Sequence, residues 1–121
     1  MVDNAADVIV EAANEGSDTV QSSIGHALAA NVENLTLTGT AAINATGNGL
    51  SNVLAGNSAN NVLTGGLGND TYLTTSGDTI VENAGEGVDT VLADFTCTLG
   101  TNLENLTLTG TGKINGTGNT S

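Results

Sequence analysis

With 121 residues, 13 Asp and Glu against one Lys or Arg, and a formal net charge of −12, the chain is one domain of ordinary size that favours cations as partners. That balance excludes nucleic acid and anionic membrane surfaces, both of which need basic side chains. A single Cys excludes an internal disulfide and a Cys-rich zinc site, and no apolar run approaches the roughly 18 residues of a membrane span.

Aromatic residues make up 2% of the chain, Pro is absent and Gly occurs 17 times, which is too few large side chains for a globular core of ordinary shape. A thin solenoid needs only one or two apolar residues per rung. Met1 to Val10 has neither the basic start nor the apolar core of a signal peptide, so secretion is expected to use another address.

In chain order, short Thr/Val/Leu/Ile-rich runs predict strands near 8–11, 19–22, 34–38, 52–55, 61–64, 71–73, 79–82, 90–93, 96–99 and 105–109, separated by Gly/Asn/Asp turns. No stretch combines a 3.6-residue period with helix caps, so little or no helix is expected; Ala27 to Ala30 is too short. Residues 7–50 align with 78–121 at an offset of 71 without a gap, and more than half of the positions are identical. The chain therefore reads as a single domain, 1–121, of about one and two-thirds copies of a 71-residue repeat (1–71 and 72–121), beginning and ending inside a copy.

A shorter period lies inside the long one. Gly39, Gly47, Gly56 and Gly65 recur every eight or nine residues, and the middle of the chain holds three tandem nonapeptides, 47–55, 56–64 and 65–73. Hairpins do not require glycine at a fixed register, whereas a coil that climbs one strand spacing per turn does. Two nonapeptides make a coil of about 18 residues, and parallel strands about 4.8 Å apart then give six or seven coils in a rod about 30 Å long. The expected fold is all-β, a right-handed parallel β-solenoid, or β-roll.

Gly65-Gly66-Leu67-Gly68-Asn69-Asp70-Thr71-Tyr72-Leu73 reads G-G-x-G-x-D-x-U-x, with U a large apolar residue. The glycines allow backbone angles that turn carbonyls toward a common centre, Asp70 adds a carboxylate, and Tyr72 points to the opposite side. A hard cation such as Ca²⁺ takes about six to eight oxygens of these kinds. In the two preceding nonapeptides Asn52 and Asn61 stand where Asp70 stands, and those turns are expected to close without metal.

Ala84-Gly85-Glu86-Gly87-Val88-Asp89 repeats the turn 19 residues on, about one coil away. Asp70 and Asp89 should therefore lie one above the other. A cation between them would take their carboxylates and the carbonyls of Gly65, Gly66, Leu67, Gly68, Gly85 and Gly87. Asp18 has the same local turn, with its partner turn falling before residue 1, and is a further candidate metal ligand, the more so where a neighbouring unit stacks on that end. Asp78 is expected to form a turn, and Glu11 and Glu82, equivalent positions after strands, to be solvated. His26 and Cys97 are equivalent positions several coils apart and read as wall or core residues, not a catalytic pair.

The sequence resembles the hemolysin-type calcium-binding repeats, the RTX family, of secreted bacterial proteins: 65–73 matches the calcium-binding nonapeptide fully. The longer phrase Asn-Leu-Thr-Leu-Thr-Gly, at 34–39 and 105–110, resembles repeats of large adhesin-like members. The resemblance implies a right-handed β-roll, Ca²⁺ between stacked turns, type I export and folding outside the cell. No nucleophile, base and oxyanion donor converge, so the expected function is a non-enzymatic, calcium-binding structural module that folds on Ca²⁺ binding. Two other roles stay open: a subunit or spacer of an extracellular filament, surface layer or adhesin built by end-to-end self-association, and an accessory tail of a secreted protease or lipase.

Overall fold

The computed structural model describes residues 2–4, 6, 7, 9–13, 16–109 and 116–118. Among them lie twelve short strands and no helix: β1 (Thr19–Ser22), β2 (His26–Ala27), β3 (Asn34–Leu37), β4 (Asn44–Thr46), β5 (Val53–Ala55), β6 (Val62–Thr64), β7 (Thr71–Thr74), β8 (Thr79–Val81), β9 (Thr90–Ala93), β10 (Cys97–Thr98), β11 (Asn105–Leu108) and β12 (Gly116–Thr117). Every ladder is parallel, and successive strands alternate between walls. This is a parallel β-solenoid.

One wall is a six-stranded sheet ordered β1-β3-β5-β7-β9-β11. The facing wall is β2-β4-β6-β8, followed by the separate pair β10-β12. Among the described residues no ladder joins β8 to β10, although β7 and β9 on the opposite wall are directly paired. A cavity of about 320 Å³ opens there, lined by Ile80, Phe95, Cys97 and Leu103 among others.

Register puts like positions on top of one another. The inward column of the first wall is Val20, Leu35, Leu54, Tyr72, Val91 and Leu106, and that of the second is His26, Ala45, Leu63 and Ile80. Leu35, Leu54, Leu63 and Tyr72 are fully enclosed. The alternation of strand side chains supplies at most two buried side chains per strand. None of the twelve strands carries an acidic residue, so the acidic side chains of the described residues all lie outside the strands.

The Asn turns lock themselves. Asn48 N–H donates to Asn52 Oδ1 (2.8 Å) and Asn52 Nδ2 donates to the Glu33 carbonyl one rung away (3.1 Å). On the other side Asn57 N–H donates to Asn61 Oδ1 (2.8 Å) and Asn61 Nδ2 to the Ile43 carbonyl (2.8 Å). Asp78 is the turn-former the sequence predicts, accepting from Thr75 N–H (2.8 Å) and Asn61 N–H (2.9 Å).

Three expectations are corrected. The solenoid has about five turns, not six or seven. Five steps at the usual strand spacing make a rod nearer 24 Å than 30 Å. The reason is that winding starts at β1: the described residues before Thr19 contribute only a bridge between Val2 and Ser22. The run 8–11 holds no strand among its described residues, and Val10 is 84% exposed. Strands β2, β4 and β12 escaped the sequence reading because their Ala, Asn, His and Gly residues have low strand propensity and pair over only two or three positions.

Because Leu54 is fully enclosed in a thin core, Leu54→Ala should destabilise the protein by about 2–5 kcal/mol, while Val53→Ala on the outer face should change it by less than about 1 kcal/mol. Urea unfolding of the two variants measures the difference.

Candidate metal centre

The residue before each strand of the six-stranded wall falls in one column: Asp18, Glu33, Asn52, Asp70, Asp89 and Glu104. A strand's first rung leaves an N–H near the turn, and a carboxylate one rung away can accept it. Thus Asp18 N–H donates to Glu33 Oε2 (3.0 Å), Asn52 N–H to Asp70 Oδ1 (2.7 Å), Asp70 N–H to Asp89 Oδ1 (2.8 Å) and Asp89 N–H to Glu104 Oε2 (2.8 Å). Asp70 and Asp89 are each only 1% exposed.

Glu82 completes the group. It follows β8, where Ile80 faces in and Val81 faces out at 42% exposure, so the next side chain turns inward. It is 8% exposed, which overturns the expectation that it is solvated. Asn102 Nδ2 donates to its backbone carbonyl (3.0 Å) and the Tyr72 hydroxyl donates to its carboxylate. The signal was the same in–out alternation that places Ile80. Glu11, its counterpart in the first copy, is half-buried.

One carboxylate oxygen from each of Asp70, Glu82 and Asp89 lies within 4.8 Å of the other two. Asp70 Oδ2 and Glu82 Oε2 are buried and have no hydrogen-bond partner. Gly65 makes room for this arrangement: a side chain there would overlap Asp70 Oδ2 and the Tyr72 hydroxyl. The chain's one basic residue, Lys113, lies outside the described residues.

Burial without a counter-charge sets the protonation. Burial, then the charges of Asp89 and Glu86, push the Asp70 carboxyl from an ordinary 3.8 up to about 6, against a lowering hydrogen bond from Asn52 N–H. Burial, then Asp89, Asp70, Glu86 and Glu104, push Glu82 from 4.5 up to about 8. Asp89 is raised by burial first, opposed by the Asp70 N–H, with Glu104 and Glu86 adding to the rise.

The structure thus brings Asp70 and Asp89 together and adds Glu82. The Gly65 carbonyl faces Gly47 of the adjacent turn, the Gly66 α-carbon faces the Asn48 carbonyl, and Gly68 is in the left-handed region at φ +114°. Gly68 N–H donates to the Glu86 carbonyl (2.7 Å), and the Gly68 carbonyl abuts Gly87. Leu67 is 59% exposed and Gly85 opens onto free space. Asp18 sits half-buried three strands away from Asp70 along the wall, with its Oδ2 lacking a hydrogen-bond partner. His26 shares the column of Ala45, while Cys97 lines the cavity beside β10.

Three buried carboxylates with two unused oxygens, a donor set of oxygen alone, suit a hard cation and not a thiolate- or imidazole-seeking metal. The chain matches no family model, no curated protein and no solved structure.

The raised carboxyls fix the sign of the pH dependence. The folded state binds protons more tightly than the unfolded chain, so in chelator the stability from these groups is full below about pH 4. It falls as pH rises through about 6 for Asp70 and about 8 for Glu82. Thermal unfolding in chelator should give a midpoint roughly 5 °C or more higher at pH 4.5 than at pH 8.5.

Proposed function

We propose that this chain is a calcium-binding, non-enzymatic β-solenoid module of a secreted bacterial protein, of the RTX type, which gains its stability outside the cell when Ca²⁺ is bound. The observation that carries the reading is the pair of buried, partnerless oxygens, Asp70 Oδ2 and Glu82 Oε2, beside Asp89 in a group with no positive charge among the described residues. An uncompensated buried carboxylate is strongly unfavourable. A calcium ion supplies the missing positive charge and accepts carboxylate oxygens without demanding a rigid geometry.

Each residue has a task. Asp70 and Asp89 are held by the backbone N–H groups of adjacent rungs, which fix one oxygen of each, and the second oxygen of Asp70 is left without a partner. Tyr72 orients Glu82 from the core side. Gly65 keeps the space clear. Because these residues come from separate rungs and meet only in the wound coil, binding free energy becomes folding free energy. Low calcium inside a cell and higher calcium outside then make folding follow export. The fully matched nonapeptide at 65–73 supports the family assignment, since its acid is one of the three.

The test is a calcium titration of protein stripped with chelator, followed by calorimetry and circular dichroism. The native sequence should bind Ca²⁺ and gain β signal or thermal stability. Asp70→Asn, which keeps the shape and removes the charge, should weaken binding by about tenfold or more. An Asp70→Asn affinity equal to that of the native chain removes the site. A fully folded spectrum in chelator that calcium leaves unshifted removes the folding role.

A further inference from the structure

The charge of the buried group has a second consequence, which rests on the metal-site reading above. Asp70, Glu82 and Asp89 together carry a formal charge of −3 when ionised. The fourth polar group touching them, the Tyr72 hydroxyl, is neutral. The charges that raise their pKa values from outside the group, Glu86 and Glu104, are also negative. A divalent ion leaves one negative charge buried, where charge is expensive. We propose that this interior site takes a trivalent hard cation of calcium-like size, the lanthanide class, in preference to Ca²⁺, and that Glu82 is the residue that sets the preference.

The donor set narrows the choice. Three carboxylates and a phenol offer only hard oxygen, and the one His and one Cys of the chain stand elsewhere on the wall. Magnesium demands near-octahedral geometry and keeps several of its waters, which a packed interior position does not accommodate. Lanthanides share calcium's flexible, oxygen-rich coordination while carrying the additional charge. Without the Glu82 charge the group is −2, matched to a divalent ion.

The chain supplies its own reporter. It has one Tyr and no Trp, and the hydroxyl of that Tyr touches the Glu82 carboxylate. Energy transfer from a phenol to Tb³⁺ falls steeply with distance. Terbium emission excited through tyrosine therefore reports this site and ignores ions held loosely by surface acids.

The experiment titrates chelator-stripped full chain with Tb³⁺, follows the sensitised emission, then displaces it with Ca²⁺, in the native sequence and in Glu82→Gln. The expected result is saturating emission at one ion per chain, displaced only by about a hundredfold or greater excess of Ca²⁺. In Glu82→Gln the required excess should fall by about tenfold or more, because Tb³⁺ affinity drops further than Ca²⁺ affinity. If circular dichroism shows that Glu82→Gln fails to fold, Asp89→Asn removes the same one charge from the group, and an unchanged Ca²⁺ excess there overturns the charge argument on which the role of Glu82 rests. Displacement at near-equal Ca²⁺, or an equal loss for both ions in the folded variant, overturns the inference and leaves the calcium site standing. Calcium binding by calorimetry without sensitised emission overturns both the inference and the placement of the calcium site, since the ion then lies away from Tyr72 and from the Glu82 carboxylate it touches. Failure of the native chain to bind either ion overturns the metal-site reading itself.

Discussion

A parallel coil sets every inward residue against its counterpart one rung away, and the rest of the structure depends on that constraint. For apolar positions the result is favourable: Leu35 meets Leu54, Leu54 meets Tyr72, and the ladder of enclosed side chains is the core. For an acid the same geometry is a conflict. Asp70 meets Asp89 across one strand spacing, and the wall that buries them excludes the water that would screen them.

The contrast between Asn and Asp at equivalent turns shows how that conflict arises. Asn has both a donor and an acceptor, so Asn52 accepts from Asn48 N–H and donates to the Glu33 carbonyl, and nothing is left over. An ionised carboxylate can only accept. Asp70 uses Oδ1 on Asn52 N–H and is left with Oδ2 enclosed and partnerless. A change of one atom type at a fixed turn position thus converts a self-satisfied lock into one that leaves a buried carboxylate oxygen without a partner. Glu82 adds a second unused oxygen from the opposite wall, and the turn glycines permit the close approach.

Much of this was legible in the sequence, for reasons particular to solenoids. The glycine period implies the coil, and the spacing of Asp70 and Asp89 by one coil places their side chains together. What escaped has physical causes. Glu82 was read by residue type, as an acid belonging in water, when the Ile80-Val81-Glu82 alternation already turned it inward. The number of turns was read from total length, but the register begins only at Thr19. The break between β8 and β10 was invisible, because it depends on how far the short turn 75–78 and the turn 94–96 let the two strands approach, and composition does not encode that distance.

The size of the core explains why so few charges matter. With at most two buried side chains per strand, the wall has little surplus stability to set against three buried carboxylates, and small domains bury too little surface to tolerate such a penalty freely. Apolar residues in the same three places would stabilise the coil outright, as replacement of buried charges often does. A coil built with acids there is instead conditional: its free energy of folding depends on what neutralises Asp70, Glu82 and Asp89. Protons and hard cations compete for the same oxygens, so acid and metal ion are alternative means to one end. Above about pH 8, where Glu82 as well as Asp70 has lost its proton, only a cation could supply the neutralising charge. On the proposed reading, the turn chemistry that winds the solenoid is the same chemistry that would make its winding responsive to ions.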